Sequence, residues 1–366
     1  PPPPPPAPRP RPPPPPPAPP GPPPPPPPPA ALFGMILVTG GTGLLGSKLL
    51  HELVENGMKV RALRRATSKL NKVEDISNQI EWVEGDVLDI PSLEEAMKDI
   101  TEVYHCAAMV SFNPSKRAAM YEINIKGTAN LVNVALAHDV QALCHVSSIA
   151  ALGRVKEGEE ITEETKWGDS KDNSHYSITK YKSEQEVWRA NAEGLNTVIV
   201  NPSVILGEGN WRTDSSSFIS NGYKGMPMYP PGCNGFVDSE DVVKAMIYLM
   251  SKKEYGEQFI LSADNVYYKD LFAKIAKAFG KEGPKRKMTP FLGGLFWRAV
   301  AIMSFFTGKT PVITEETINT ILKTYFYSND KVKGTGFEFR SMDETINRCC
   351  LLYTSDAADE EDSVDL

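Results

Sequence analysis

The sequence predicts an α/β fold, a doubly wound parallel sheet with a smaller C-terminal substrate-binding part. Three observations predict it. Short apolar runs alternate with stretches of helical periodicity from Met35 to Leu261, as expected for parallel strands buried on both faces beneath crossover helices. A glycine-rich turn, Thr39-Gly40-Gly41-Thr42-Gly43-Leu44-Leu45-Gly46, separates the first strand from the first helix. Ser147 and Ser148 close a later apolar run, at the strand end where such sheets place ligands.

In chain order, Met35–Thr39 reads as a buried strand and Leu44–Glu55 as a helix with apolar spacing. Lys59–Leu63 and Ile80–Val83 are the next strands. Ser92, with Glu95 three residues on, has the spacing of a capping box opening a short helix. Val103–Ala107 is a strand, Met120–Ala137 a long helix, Ala142–Ser147 a strand and Tyr176–Asn191 a helix. Thr197–Val200 and Gln258–Leu261 supply two further strands. Leu206–Gly235 is rich in Gly, Pro and Ser and suits loops, whereas residues 264–327 are largely helical in pattern. The expected division is residues 35–205 with 236–263 as the sheet domain, and residues 206–235 with 264–348 as the substrate-binding part.

The two ends are set apart by composition. Residues 1–30 hold 24 of the 33 prolines, so residues 1–34 are expected to be an extended polyproline arm that buries nothing. Residues 353–366 carry six acids and no base. Residues 349–366 are therefore expected to be a disordered, solvated acidic tail. Met35 reads as a natural start, and Cys350-Leu351-Leu352-Tyr353-Thr354-Ser355-Asp356 and its continuation read as translated adapter sequence. Of the net charge of −7, about −3 falls between the ends. That balance offers no basic stripe for nucleic acid and little attraction to anionic membrane. No run of 18 uninterrupted apolar residues occurs, so no spanning helix is expected. The five cysteines have neither metal-ligand spacing nor a secreted disulfide pattern; no metal, reduced thiols and a cytoplasmic location are the expectation.

Gly40, Gly43 and Gly46 recur every third residue. Glycine at the turn allows backbone angles that other residues resist, and a missing Cβ lets a pyrophosphate approach the helix N-terminus, where free amides favour anions. The flanking strand and helix are the context a dinucleotide site requires; the alternative is an ordinary strand–helix turn. At the end of the second strand an acid would hold the ribose of NAD, and arginine would accept the extra phosphate of NADP. Arg64 and Arg65 stand there. The reading is NADP, with NAD as the alternative cofactor and a solvated basic turn as the alternative role. Asp86 meets the adenine edge or caps a turn.

Tyr176 and Lys180 are four apart, on one face of a helix. An ammonium near the phenol would lower its pKa from about 10, and Ser147 or Ser148 would supply a hydroxyl beside a substrate carbonyl. The alternative is a solvated pair on a surface helix.

These motifs resemble those of extended short-chain dehydrogenases/reductases, the group that includes the epimerase/dehydratase family, over nearly all of residues 35–345. His105-Cys106-Ala107-Ala108, Asn124-Ile125-Lys126-Gly127-Thr128, Asn201-Pro202-Ser203-Val204 and Phe236-Val237-Asp238 ahead of Asp241-Val242 extend the likeness. The resemblance implies a Rossmann sheet, with Tyr176 as general acid/base, Lys180 as its partner and Ser148 holding the carbonyl. It implies a cofactor set of Thr39, Gly40, Gly43, Leu44, Leu45, Gly46, Arg64, Arg65, Asp86, Val87, Ala107, Ala108, Asn124, Ser147, Tyr176, Lys180, Asn201, Pro202 and Ser203. Within the group the chain looks closest to dihydroflavonol-reductase-like and 3β-hydroxysteroid-dehydrogenase-like members. The sugar dehydratases carry an acid where this chain has Ser148-Ile149-Ala150, and the loop after Asn201 offers a substrate diphosphate only Arg212. The expectation is an oxidoreductase interconverting a small-molecule carbonyl and alcohol. The rivals are a nucleotide-sugar epimerase with tightly held NAD and a non-catalytic NADP(H) sensor. Met226, Met228 and Tyr229 hint at an apolar substrate, and the resemblance suggests a homodimer. His105 and His145 read as packed strand residues, and His175 as turned away from the site. Phe291–Phe306 reads as a core helix or pocket lid, with peripheral membrane contact a minor alternative.

Overall fold

The computed structural model describes residues 34–362 except 112, 157, 169–172, 210, 212–214, 296 and 299–314. The arm over residues 1–33, Arg212 and much of the Phe291–Phe306 run therefore lie outside the described residues.

The first half is built as predicted from alternating elements. They are β1 (Met35–Thr39), α1 (Leu44–Glu55), β2 (Val60–Arg64), β3 (Ile80–Glu84), α2 (Ile90–Met97), β4 (Ile100–His105), α3 (Arg117–Tyr121), α4 (Gly127–Ala137) and β5 (Ala142–Val146). After the short β6 (Glu160–Ile161) come α5 (His175–Ala192), β7 (Asn196–Pro202), β8 (Val204–Leu206), α6 (Ser217–Lys224), β9 (Met228–Tyr229), β10 (Cys233–Asp238), α7 (Ser239–Lys252), β11 (Glu257–Leu261), β12 (Asp264–Tyr267) and α8 (Tyr268–Ala278).

Seven strands form one sheet in the order β11-β7-β5-β4-β1-β2-β3, and every pairing within it is parallel. Alternate side chains of each strand enter opposite layers. Ile36 and Val38 pack with Leu49, Leu50, Val242 and Met246 under α1 and α7, while Leu37, Val103, Leu143 and Ile199 pack with Leu93, Leu131 and Val187 under α2, α4 and α5. Both faces are thereby removed from water, which explains strands with almost no polar alternation. Arg61 is an exception inside β2. Its guanidinium bonds to Glu81 and to the carbonyls of Ala96 and Lys98.

A second sheet, β12-β10-β8, carries the other lobe, whose core joins Leu206, Ile219, Phe236, Phe272, Ile275 and Ile346. Only Ser203 separates β7 of the large sheet from β8 of the small one, and its amide bonds to the carbonyl of Leu261 at 3.0 Å.

The structure corrects several expectations. The predicted Met120–Ala137 helix is interrupted by a π-helical turn over Glu122–Lys126. Ser92 lies inside α2, whose N-cap is Asp89; the Ser92 hydroxyl accepts from the Asp86 amide and donates to the Asp89 carbonyl. The 206–235 stretch holds the end of β8, then α6, β9 and the start of β10, and residues 264–327 include strands as well as helices. The end of the chain differs most. Met342–Asp362 is one helix, so Cys349–Asp362 is helical where an unfolded tail was expected. Met342, Ile346, Cys349 and Cys350 recur at helical spacing and are buried, and Tyr353 meets Trp211 edge-on with ring centroids 5.2 Å apart. Arg340 and Arg348 tie this end to the fully buried Asp238 through Nη1 at 3.1 Å and Nη2 at 2.6 Å.

Candidate active site

The site forms where the strand order reverses, between β1 and β4, the place at which open α/β sheets open a crevice. Gly40 follows β1 with φ +73°, a left-handed conformation that favours glycine. A Cβ there would also stand 2.7 Å from the Ala107 amide nitrogen after β4. At Gly46 a Cβ would come within 2.2 Å of the Gly40 carbonyl oxygen, whereas at Gly43 its single neighbour within 4 Å would be that oxygen, at 3.2 Å. Gly40 and Gly46 thus let the helix close on the strand, and Gly43 keeps the entrance open. No side chain caps α1, so the amides of Leu44, Leu45 and Gly46 are available to an anion.

A directional hydrogen-bond chain fixes the floor of this crevice. The Ala107 amide donates to Thr39 Oγ1 at 3.4 Å, which lies 2.7 Å from His105 Nδ1. His105 Nε2 lies 3.0 Å from Thr128 Oγ1, whose own proton goes to the Asn124 carbonyl at 2.7 Å. The donor directions require His105 to carry its proton on Nε2. Burial, with the Lys180 ammonium nearby, pushes its pKa down to about 3, so the ring is neutral. Asn124, turned inward by the π-helical turn, accepts from the Met109 amide at 2.7 Å and donates to its carbonyl at 2.9 Å. In this structure Asn124 holds the strand-end segment Ala107-Ala108-Met109.

Ser148 follows β5 in extended conformation and accepts from the Ala150 amide at 3.1 Å. Its proton is then free to point at Tyr176, with which it hydrogen-bonds. Tyr176 lies in the first turn of α5, which Ser174 caps through the Ser177 amide. Lys180, one turn on, is 2 % exposed and donates from Nζ to the Val146 carbonyl at 2.8 Å. Burial pushes its pKa down to about 8 against the opposing pull of Glu184. The phenol of Tyr176 is raised by burial, which outweighs the Ser148 hydrogen bond. Lys180 is not among the groups that shift this phenol; its ammonium bonds to the Val146 carbonyl.

Sequence reading missed two members. Glu184, four residues beyond Lys180, is buried, and Gln258 approaches it from β11. Asn201 Nδ2 donates to Glu184 Oε1 at 2.6 Å and to the Ser148 carbonyl at 2.9 Å. Gln258 Nε2 donates to Asn201 Oδ1 at 2.9 Å. Burial raises the Glu184 pKa to about 7 against the hydroxyl of Ser147, the two amides and Lys180. The i, i+4, i+8 spacing of Tyr176, Lys180 and Glu184 was the available signal.

The other expected positions ring the same crevice. Arg64 ends β2 with its Nε buried and unpartnered among the described residues, and the Arg65 amide bonds to the Ser68 hydroxyl. An orphaned guanidinium nitrogen at this strand end fits an anionic dinucleotide. Asp86 turns its carboxylate to the Leu88 amide at 2.9 Å and so caps its own turn. Val87 packs on the helix at Gly127, where a Cβ would meet its side chain at 2.6 Å, and its carbonyl accepts from Asn130. Pro202 pairs with Leu261 at the end of β7, and Ser203 Oγ is buried without a partner among the described residues.

A family model for the NAD dependent epimerase/dehydratase family matches residues 36–262. The chain belongs to that family. Among similar proteins, "Sterol demethylase protein B" of Methylococcus capsulatus is 28% identical over 285 residues, 75% of this chain and 84% of that one. "Cinnamoyl-CoA reductase 1" of Petunia hybrida is 26% identical over 323 residues, 83% of this chain and 87% of that one. The solved UDP-glucose 4-epimerase of Thermotoga maritima superposes with a TM-score of 0.72 at 20% identity, over 88% of this chain and 99% of that one, a likeness of fold. As a family member the chain is an enzyme of oxidoreductase type that binds a nicotinamide dinucleotide and acts on small molecules. None of its described helices is long and apolar enough to cross a membrane.

Proposed function

We propose that this enzyme interconverts a carbonyl and an alcohol using NADP(H), with Tyr176 moving the proton. The observation that carries the reading is the buried Lys180, whose Nζ bonds to the Val146 carbonyl at 2.8 Å at the end of β5, one helical turn from Tyr176 and beside Ser148, whose hydroxyl acts on that phenol. The nicotinamide, when bound, supplies or accepts hydride. The chain does the rest. Leu44, Leu45 and Gly46 offer amides to the pyrophosphate, and Arg64 takes the phosphate that distinguishes NADP. Ser148 orients the substrate oxygen, and Tyr176 donates to it. A raised phenol pKa keeps the proton on Tyr176 at neutral pH, the state that reduction needs.

The name of the Petunia relative supports carbonyl reduction, and the absence of an acid in Ser148-Ile149-Ala150 counts against elimination. The sterol-related name of the other relative supports an apolar substrate. Met226, taken earlier as a pocket hint, packs instead against the core of the second lobe. The test is Tyr176→Phe assayed with NADPH against a panel of apolar ketones and aldehydes. The variant should lose about 10²–10⁴-fold in turnover while still binding NADPH. Turnover at the wild-type rate would refute the role.

A further inference from the structure

The mechanism leaves one buried ionisable group unused. Glu184 is 3 % exposed and is enclosed by polar groups from three strands: Ser147 at the end of β5, Asn201 of β7 and Gln258 of β11. The direction of every bond is determined. Gln258 Nε2 donates to Asn201 Oδ1 and stands 3.3 Å from each Glu184 oxygen. The Asn201 amide nitrogen must then face the other way, and it divides its two protons between Glu184 and the Ser148 carbonyl. A flipped Asn201 would set its oxygen against two acceptors. At the helix end of the same network, Glu184 acts through space on Lys180. The other titratable groups around Lys180 are Cys106, His105 and His145. Burial keeps all three neutral near pH 7, so Glu184, with its pKa raised to about 7, is the group of this set that takes up negative charge as pH rises through neutrality.

We propose that Glu184 is a positioning residue for the Ser148–Tyr176–Lys180 site: one buried carboxyl holds Asn201 across the Ser148 backbone and supplies the counter-charge of Lys180. The inference deepens the catalytic reading and rests on it.

Glu184→Gln keeps the shape and removes the charge. Two readouts are expected to move. The first is turnover, which falls about 10- to 100-fold, the loss expected when a catalytic hydroxyl is misplaced, with KM nearly unchanged. The second is independent of cofactor and substrate. In ligand-free protein with lysine labelled by ¹³C at Cε, the Lys180 resonance, assigned by its disappearance in Lys180→Arg, titrates about one pH unit lower once the counter-charge is gone. Should Glu184→Gln fail to fold, Gln258→Leu, which removes one donor from the carboxyl, should move the same titration in the same direction by less. An unmoved Lys180 titration overturns the inference, even if turnover falls, because loss of rate alone is what structural damage would give. Failure of the underlying reading looks different: Tyr176→Phe would then remain active.

Discussion

The glycines of the first turn should fail in different ways, and the distances say how. At Gly46 an added methyl would sit 2.2 Å from the Gly40 oxygen and 2.7 Å from its carbonyl carbon. A carbon–oxygen contact relaxes to about 3.3 Å, so α1 must withdraw by roughly 1 Å, since the obstacle is backbone and cannot rotate aside. Overpacking of that kind costs about 1–3 kcal/mol, and each kcal/mol lowers the melting temperature by about 2–4 °C. Gly43 has φ −82° and ψ 179°, which alanine adopts freely, and its methyl would meet only one oxygen, at 3.2 Å. Gly43→Ala should therefore fold normally. Its methyl would instead obstruct the helix amides; loss of one charge-assisted contact, about 1.5–3 kcal/mol, weakens NADPH binding about 10- to 100-fold. Melting followed by circular dichroism and titration followed by NADPH fluorescence separate the two effects. A Gly46→Ala protein that melts with wild type, or a Gly43→Ala protein that binds NADPH with wild-type affinity, would refute the assignment of the turn.

Arg64→Ala should weaken NADPH by a similar about 10- to 100-fold, the worth of one charge-assisted phosphate contact, and leave NADH nearly unaffected; equal losses by calorimetry would remove the phosphate role. Asp238→Ala leaves Arg340, just ahead of the C-terminal helix, and Arg348, on it, with Glu240 as their remaining acid and should cost about 1–3 kcal/mol in chemical denaturation, whereas a midpoint matching wild type would show the pairs to be energetically idle. Glu184 makes stability pH-dependent with a defined sign. Its folded pKa of about 7 exceeds the ordinary 4.5, so its contribution is present below about pH 4.5 and is lost as pH rises through about 7. The melting temperature of Glu184→Gln relative to wild type should accordingly climb between those pH values; a flat difference would mean that folding does not raise the pKa of this carboxyl.

Much of the site was legible because its chemistry leaves marks on composition. Gly40 and Gly46 are forced by backbone contacts that a Cβ would not survive, and the Tyr176–Lys180 spacing follows from helical geometry. Glu184 escaped notice because a glutamate on an 18-residue helix ordinarily faces water; its burial is decided by Asn201 and Gln258, from strands distant in sequence. The π-helical turn was invisible because a change of hydrogen-bond register within a helix alters no residue preference. Ser92 was misread because Pro91, free of any need for an amide partner, lets the helix start one residue before it. At the C-terminal end the acids masked Met342, Ile346, Cys349 and Cys350, whose spacing carries that helix into the second core.

The junction of β7 and β8 has a consequence for how this enzyme changes its tastes. One nearly unbroken run of extended chain serves both sheets, so the small lobe is tied at that point directly to the sheet that carries the site. New selectivity must then be acquired at the rim, through the loops that leave Leu206 and approach Cys233. Swapping those segments between relatives should redirect what is recognised and leave the proton-handling groups undisturbed.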